Sequence, residues 1–384
     1  MKLVLATLAA VSWSLAQPIP QPQPWPQALH DAQRTSRSTI IGPGPLAPEH
    51  TYQFPSVGFG SAPVVTRIGR MFVTASYCVF PTPEGCFAYY STLLSVSPRG
   101  QAYPAARDLT VQYNGTPALG EDGTIYISSG AGLRALFPDG RTKWTFPIQT
   151  GSPVLTPNGL ILASGSNVTG PVRLYVLDLQ GRLLWSKLLP PDSAPGAAFS
   201  LGRDGNIYYG AVSSYVVALD PAGNFRWRYP TGDQMHSLPL VANDGTVYAS
   251  GDKLYALRPN GTLKWTFSAP GSSLSGSTPA LATDGTLYIG SGARFVALNP
   301  DGTEKWSYPV PDPGQSALVD GEGSIHFFDG GGITALRSDG TLKWQRPTER
   351  FTMNWDTEFA LTLDGTLIAM RNPYGMAIGP SALP

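Results

Sequence analysis

Apolar and polar residues alternate in short runs along most of the chain, and many of these runs are separated by Asp-Gly or Asn-Gly pairs. In TDGTLYIG, residues 283–290, Leu287 and Ile289 alternate with Tyr288 after a turn at Gly285. Alternation with a period of two is typical of β-strands, and glycine accepts the positive φ that tight hairpins need. The pattern predicts an all-β chain of short strands joined by hairpins.

The same phrase returns along the chain at a nearly constant spacing. Close copies of TDGTLYIG include EDGTIYIS and NDGTVYAS, and a weaker copy is GEGSIHFF. The turn glycines of the series lie 36–46 residues apart and are Gly123, Gly159, Gly205, Gly245, Gly285, Gly323 and Gly365. A four-stranded unit that repeats about every 40 residues indicates the blades of a β-propeller.

A second phrase alternates with the first and ends in tryptophan. NPDGTEKWSYP at 299–309 is one copy, and FPDGRTKWTF at 137–146 is another. Each tryptophan follows a turn glycine by four residues, and the six are Trp144, Trp185, Trp227, Trp265, Trp306 and Trp344. A large flat side chain at one position of each blade can bury on the order of 200 Å² between neighbouring blades. We interpret these residues as structural blade-docking residues and not as a cofactor site.

The last unit ends without a tryptophan strand, so the missing strand is expected at the other end of the chain. TYQFPSVGFGSAPVV at 51–65 aligns with WTFPIQTGSPVL at 144–155, which places Tyr52 at the tryptophan position. We predict an eight-bladed propeller of four-stranded blades, in which residues 51–56 pair beside residues 374–379 and close the ring.

Composition divides the chain into three segments. Residues 1–16 have the positive start, short apolar run and small residues of a secretory signal peptide, and no Cys follows them to carry a lipid. Residues 17–50 are rich in Pro and Gln, which favours an extended tether. Residues 51–384 are expected to form the propeller domain. We expect a secreted or periplasmic protein without a transmembrane segment.

The charge of the chain is low and balanced. Charged residues make up 14% of the sequence and the formal net charge is zero, whereas a nucleic-acid-binding protein usually has an excess of Lys and Arg. We therefore expect no nucleic-acid partner, and we expect a monomer. The two cysteines, Cys78 and Cys86 in CVFPTPEGC, are expected to form a disulfide in an oxidising compartment.

The two phrases together resemble the repeat of the PQQ-like (pyrroloquinoline-quinone type) β-propeller family. The resemblance rests on phrases such as ALNPDGTEKW at 297–306, which recur in register over about residues 51–380. It implies a propeller in which the tryptophan of each repeat locks adjacent blades together.

The family includes quinoprotein alcohol dehydrogenases and non-catalytic members. The dehydrogenases have two adjacent disulfide-bonded cysteines, calcium ligands and a catalytic Asp, whereas Cys78 and Cys86 are eight residues apart. We therefore expect neither PQQ nor another cofactor. The chain is more similar to the propeller subunit of the outer-membrane β-barrel assembly machinery, in length and in the inferred number of blades. That subunit is lipid-anchored, and the sequence here lacks the Cys for such an anchor.

The segments that join one blade to the next are expected around the channel on one face, where ligands commonly bind. Two of them carry more reactive or polar side chains than the rest, TGDQMHSLP at 231–239 and TERFTMNWDTEF at 348–359. The candidate ligand-binding residues are Asp233, His236, Arg350, Asn354, Trp355 and Asp356. A sugar or a peptide could stack on Trp355; alternatively, both segments are ordinary polar loops.

Other site patterns are missing from the sequence. There is no calcium loop, no zinc-ligand spacing, no P-loop and no nucleophile elbow. His326 falls where other repeats have Tyr, which favours a strand residue over a metal ligand.

Two classes of function follow from these features. The first is a non-enzymatic exported scaffold that binds a protein or an extracellular ligand through the channel face, with envelope or outer-membrane protein assembly as one form of it. The second is an enzyme with an unrecognised site around His236 and Asp356. The sequence favours the first class and does not name the ligand.

Overall fold

The computed structural model describes most of the chain between Gln27 and Ile378. The described residues are 27, 30–31, 33–53, 58–59, 61–78, 81–82, 85–86, 89–97, 101–105, 115–166, 170–190, 199–211, 214–233, 238–268, 274, 276–311, 313–314, 316–347, 358–371 and 374–378. All regular elements among these residues are β-strands. None of them forms a helix long and apolar enough to cross a membrane.

The strands form eight antiparallel blades around a ring, which confirms the predicted eight-bladed propeller. Blade 1 has a five-stranded sheet and a small extra hairpin, whose strands are Gly58–Phe59, Val64–Val65, Met71–Cys78, Tyr89–Val96 and Ala102–Pro104, with Pro81–Thr82 and Gly85–Cys86 in the hairpin. Cys78 and Cys86 thus lie at the end of one strand and in the hairpin beyond it. Their disulfide stays a prediction.

Blades 2 to 7 each have four strands that pair in chain order. The strands of blades 2 to 4 are Ala118–Leu119, Ile125–Ser129, Gly132–Leu136 and Thr142–Phe146; Val154–Leu155, Leu160–Gly165, Arg173–Asp178 and Leu183–Leu188; and Ser200–Leu201, Ile207–Ala211, Tyr215–Leu219 and Phe225–Pro230. Those of blades 5 to 7 are Leu240–Val241, Val247–Ser250, Leu254–Leu257 and Leu263–Phe267; Ala280–Leu281, Leu287–Ser291, Arg294–Leu298 and Glu304–Pro309; and Ala317–Val319, Ile325–Phe328, Gly332–Leu336 and Leu342–Pro347.

Blade 8 is assembled from both ends of the chain. Its first three strands are Glu358–Leu361, Leu367–Arg371 and Tyr374–Ile378, and its fourth is Glu49–Gln53. The predicted closure of the ring is therefore confirmed, with the closing strand two residues earlier than expected.

The register of the closing strand corrects the assignment of Tyr52 to the tryptophan position. In blade 2, Ala135 of the third strand pairs with Tyr126 of the second strand on one side and with Trp144 of the fourth strand on the other, and blades 3 to 7 have a tryptophan at the same place. In blade 8 this residue is Ala377, and its partner is His50, whereas Tyr52 pairs with Gly375. The alignment failed because it crossed a connection between blades, and these connections differ in length.

The first turn of each blade is held by the side chains of its repeat phrase, as blade 6 shows. Gly285 has φ +84°, and its N–H donates to Ala282 O at 3.2 Å. Asp284 accepts hydrogen bonds from the N–H and the hydroxyl of Thr286, each at 2.9 Å. Lys305 Nζ, from the fourth strand, lies 3.4 Å from Asp284 Oδ2. The Asp-Gly-Thr triplet is thus a turn motif, and the lysine links the turn to the outer strand.

The tryptophan phrase also has a structural explanation. A bulge precedes each tryptophan of blades 2 to 7, because one residue of the fourth strand has no partner in the third. In blade 6 the bulged residue is Lys305, and Trp306 follows it. The bulge lets the lysine reach back along its own blade while the tryptophan faces the next one.

The tryptophans of blades 2 to 6 each pack on the third turn of the next blade. Trp265 Nε1 donates to Pro300 O at 2.9 Å, and a Cβ added to Gly302 would lie 2.6 Å from the Trp265 ring. On its other side the ring lies 5.6 Å from that of Tyr248, measured between centroids. The same turn contact recurs for Trp144, Trp185, Trp227 and Trp306. The hydrophobic core likewise lies between neighbouring blades, as with Val176 of blade 3 and Tyr209 of blade 4.

Acid is expected to destabilise the ring through the turn aspartates. Burial alone would raise the pKa of Asp122, Asp244 and Asp284, but their Thr and Lys partners hold each pKa below the ordinary 3.8. A depressed native pKa stabilises the fold above the unfolded value, and this stabilisation is lost as the pH falls below about 3.8. The urea midpoint should therefore drop between pH 5 and pH 3. In the triple Asp→Asn variant the drop should be smaller; an equal drop would contradict the assignment.

Candidate functional site in the axial channel

The structure describes one of the six predicted ligand-binding residues. Asp233 lies half-buried in the connection between blades 4 and 5, where its N–H donates to Thr231 O at 2.8 Å. The other five lie outside the described residues and are His236, Arg350, Asn354, Trp355 and Asp356. The ligand-binding role of these six residues therefore stays a prediction.

The wall of the channel is formed by the first strands, which contact one another around the ring. The described residues between 27 and 42, which are 27, 30–31 and 33–42, lie along this wall past blades 3 to 7, and we call them the channel segment. Residues 43–48 follow as the exit loop and lead into the closing strand of blade 8. Composition favoured an extended tether over residues 17–50, and the described residues of this part pack against the blades.

The channel segment is bound mainly through the backbone. Three N–H groups of the wall donate to segment carbonyls at 2.9, 3.0 and 2.9 Å, in the pairs Val241 to Gln33, Leu281 to Thr35 and Val319 to Ser36. The N–H of Ser38 returns a bond to Val319 O at 2.9 Å. These wall N–H groups point away from the second strands, so the segment satisfies donors that would otherwise face the channel.

Two side chains of the segment anchor it to wall carbonyls. The Gln27 amide accepts from Leu155 N–H at 3.2 Å and donates to Leu155 O at 3.5 Å. Arg34 Nε donates to Phe199 O at 3.2 Å, and the Arg34 side chain is among the largest fully buried ones. An arginine this deeply buried is expensive to desolvate, so its place in the channel is well defined.

The backbone of the segment is bent at three residues. His30, Arg34 and Ser36 have φ values of 76°, 63° and 50°, in the left-handed region that side chains other than glycine rarely adopt. The bend is braced by Asp31, whose carboxylate accepts from the N–H of Thr35 at 2.9 Å. Such conformations cost on the order of 1 kcal/mol each and persist where the surroundings hold them.

Blade 7 departs from the repeat where the segment leaves the channel. Asp320, Gly321 and His326 stand where blade 2 has Gly, Glu and Tyr. Asp320 Oδ2 accepts from Gly42 N–H at 3.1 Å and lies 3.0 Å from His326 Nε2. The N–H of Gly321 donates to Ile40 O at 2.7 Å. All three departures therefore serve the contact with the segment.

The contact between the channel segment and blade 7 combines a buried carboxylate, Asp320, with close backbone packing at two glycines. Burial alone would raise the pKa of Asp320, but the hydrogen bond and charge of His326 hold it below the ordinary 3.8. A Cβ on Gly42 would lie 2.7 Å from His326 Nε2, and one on Gly321 would lie 2.3 Å from Thr39 O. Both glycines are required for the segment to approach blade 7 this closely.

The exit loop replaces a turn that blade 8 lacks. Elsewhere a tryptophan donates to a carbonyl in the third turn of the next blade, as Trp306 Nε1 does to Ser338 O at 2.9 Å. The third and fourth strands of blade 8 come from opposite ends of the chain, so no such turn joins them. Trp344 Nε1 donates instead to Pro43 O at 2.9 Å, and Arg346 donates to Ala47 O at 2.6 Å.

The outer side of the exit loop is an exposed apolar surface. Ile41 and Leu46 are 55% and 96% exposed and line a groove of about 530 Å³. Within the described part of the chain, no group of three His, Cys, Asp or Glu side chains is placed to hold a metal ion.

Comparisons with known proteins agree with this architecture. Residues 170–319 match the PQQ_2 family model, described as outer membrane protein assembly factor BamB. The PQQ-like repeat resemblance is confirmed. No curated protein sequence matches the chain.

Solved structures show the same PQQ-type propeller fold. Quinohemoprotein alcohol dehydrogenase ADHIIG from Pseudomonas putida HK5 has a TM-score of 0.64 and 13% identity, over 93% of this chain and 80% of that one. A europium-containing methanol dehydrogenase has a TM-score of 0.62 and 13% identity, over 91% and 89%. BamB from Moraxella catarrhalis has a TM-score of 0.50 and 15% identity, over 86% and 96%. At these identities the likeness concerns the PQQ-like fold alone.

Proposed function

We propose that the protein is an exported, non-enzymatic scaffold that binds a protein partner or an extracellular ligand through its channel face. The observation that carries the proposal is the channel wall, which holds a polypeptide segment through the N–H groups of Val241, Leu281 and Val319. Main-chain binding of this kind is a common mode of peptide recognition. It favours a polypeptide partner over a small substrate.

The polar side chains of the repeats support a scaffold because they already have structural partners. Asp122, Asp244 and Asp284 each accept from a Thr in the same turn, and each lies near a Lys of the fourth strand. Their carboxylates are therefore occupied in holding the blades together.

A second form of the proposal is a scaffold for assembly of envelope or outer-membrane proteins. The observation that favours it is the match of residues 170–319, across blades 3 to 7, to the family model described as outer membrane protein assembly factor BamB. Under this form the protein would be periplasmic, monomeric and free of cofactor.

The test is crosslinking in intact cells that express the full chain, followed by identification of what is captured with the processed protein. A scaffold of the assembly type is expected to capture outer-membrane proteins or their assembly factors. Capture of a different single protein would favour the general form. Consistent recovery of no protein above an untagged control would contradict a protein partner of either form and leave an extracellular ligand or the enzyme alternative.

The double variant His236→Ala/Asp356→Ala tests the channel face. We expect it to reduce partner capture about tenfold, as loss of central contact residues often does, without a change in thermal midpoint. Lys187→Ala, on the exposed outer strand of blade 3, is the matched control and should capture normally. Full capture by the double variant would place the partner elsewhere on the ring. Loss of a measurable enzymatic activity, with folding intact, would support the enzyme alternative.

A further inference from the structure

We infer that the axial channel is a binding site for a peptide that follows the bent path of the channel segment and has an arginine followed by small hydroxyl residues, and that the channel segment is its removable occupant. The inference deepens the proposed function, on which it rests for its biological meaning, by naming the chemistry of the ligand. In the full chain, the channel segment therefore occupies the peptide-binding site.

The backbone contacts explain why a separate peptide can take this path. The bonds from Val241, Leu281 and Val319 use only carbonyls of the occupant, so they are available to any chain that adopts the same backbone path. A row of such bonds gives affinity without a strict sequence requirement.

The side chains of the segment explain which peptide fits. Arg34 reaches across to Phe199 O, and the three small residues Thr35, Ser36 and Ser38 are all at most 4% exposed. A bulkier side chain at these places would meet the wall. The channel therefore selects a peptide with an arginine followed by Thr or Ser and with a glycine at the position of Gly42.

Three features of blade 7 show that the path is built for an occupant. Gly321 has no positive φ that would itself require glycine, and its missing Cβ makes room for Thr39 O. Asp320 and His326 are completely buried side chains that hold Gly42. In a ring without an occupant, the carboxylate of Asp320 would lose one of its hydrogen bonds.

The segment can be separated from the closure of the ring. Glu49–Gln53 pairs with Tyr374–Ile378, and the exit loop supplies Pro43 O to Trp344, so both contacts remain when residues 17–42 are removed. While it is attached, the segment competes with any free peptide at an effective concentration in the millimolar range. The intact chain should therefore resist a peptide added in trans.

The experiment is a titration of a fluorescein-labelled synthetic peptide with the sequence of residues 25–42, followed by fluorescence anisotropy. Two proteins are compared, the chain beginning at residue 17 and the chain beginning at residue 43. We expect the shortened protein to bind the peptide at least 100-fold more tightly. A shortened protein that melts cooperatively and binds no better than the longer one would overturn the inference.

Matched variants separate the channel from non-specific binding. Gly321→Ala in the shortened protein should weaken binding at least tenfold because its Cβ would meet Thr39 O, while Gly44→Ala, whose Cβ meets nothing within 4 Å, should have no effect. A peptide with Arg34→Ala should bind at least tenfold more weakly. Equal binding by the Gly321 and Gly44 variants would place the peptide outside the channel.

A second route serves if the shortened protein does not fold. A protease site inserted after Leu46, which is 96% exposed, allows the segment to be cut after folding. The cut segment should stay bound through gel filtration and exchange with excess labelled peptide. A cut protein that keeps its fold but neither retains the segment nor takes up the peptide would overturn the inference. Because both experiments use purified protein, their failure leaves the crosslinking result on the proposed function unaffected.

Discussion

Removal of residues 17–53 is expected to abolish cooperative thermal unfolding. Removal of residues 17–42 should lower the midpoint of thermal unfolding by about 5 °C or more, and removal of residues 17–26 should leave this midpoint unchanged. The longest deletion ends after the closing strand, the intermediate one ends after the channel segment, and the shortest one ends before it. They can be compared by circular dichroism and calorimetry on proteins made without residues 1–16.

The physical reason for the largest effect is that the closing strand completes blade 8. Glu49–Gln53 pairs with Tyr374–Ile378 over five residue pairs, and Arg346 bonds Glu49 at 3.1 Å. Its loss removes several hydrogen bonds worth roughly 1 kcal/mol each and exposes an edge strand next to blade 1. The core around Ala377 and Ile378, which is fully buried, would then open to water.

The intermediate deletion has a smaller effect for a different reason. It removes the bonds to the channel wall and the anchors of Gln27 and Arg34, but it leaves every blade complete. If all three deletions melted at the same temperature, the closure of the ring by residues 49–53 would be wrong. If the proteins lacking residues 17–26 and 17–42 melted at the same temperature, the channel segment would contribute nothing to stability.

Gly302→Ala is expected to destabilise the protein by about 2–5 kcal/mol. Gly302 has φ +89°, which costs an alanine about 1–2 kcal/mol, and the added Cβ would lie 2.6 Å from the Trp265 ring, an overlap that costs about 1–3 kcal/mol more. Gly323→Ala is the matched control. Its φ is +81°, but its Cβ would come no closer than 3.9 Å to Ser338. The measurement is urea unfolding of both variants.

The difference between the two glycine variants isolates the docking of tryptophan on the next blade. In a Trp265→Phe background, where the ring is smaller, the excess cost of Gly302→Ala should shrink. Equal destabilisation by Gly302→Ala and Gly323→Ala would mean that the turn does not press on the tryptophan.

The sequence predicts the fold because the same turn and tryptophan signals recur in successive blades. Gly285 and Gly302 mark two turns of one blade, and Trp306 marks the contact with the next, so spacing alone gives the strand order and the number of blades. The position of His50 could not be predicted in the same way. The connection that follows the closing strand has no repeat to align, and a shared Phe-Pro pair led to Tyr52 instead.

The channel segment could not be predicted from residues 17–50 themselves. Their composition is that of a tether, and their main contacts are made by backbone atoms, which leave no pattern in side chains. The available signal was in blade 7, where Asp320, Gly321 and His326 break the repeat together. Each was explicable as a local variation; only the structure shows that they share one partner. The predicted ligand residues His236 and Trp355 lie outside the described residues, so that part of the site stays a prediction.

The construction of blade 8 also sets the order in which the molecule can form. Tyr52 and Gly375 are partners more than three hundred residues apart in the chain, and contacts of such separation form slowly. During synthesis the channel segment emerges before any of the blades that will enclose it. Its binding wall exists only after blades 3 to 7 have folded, and its exit is fixed only when the last strand arrives. The channel segment is therefore made before the blades and is among the last parts of the chain to reach its final place.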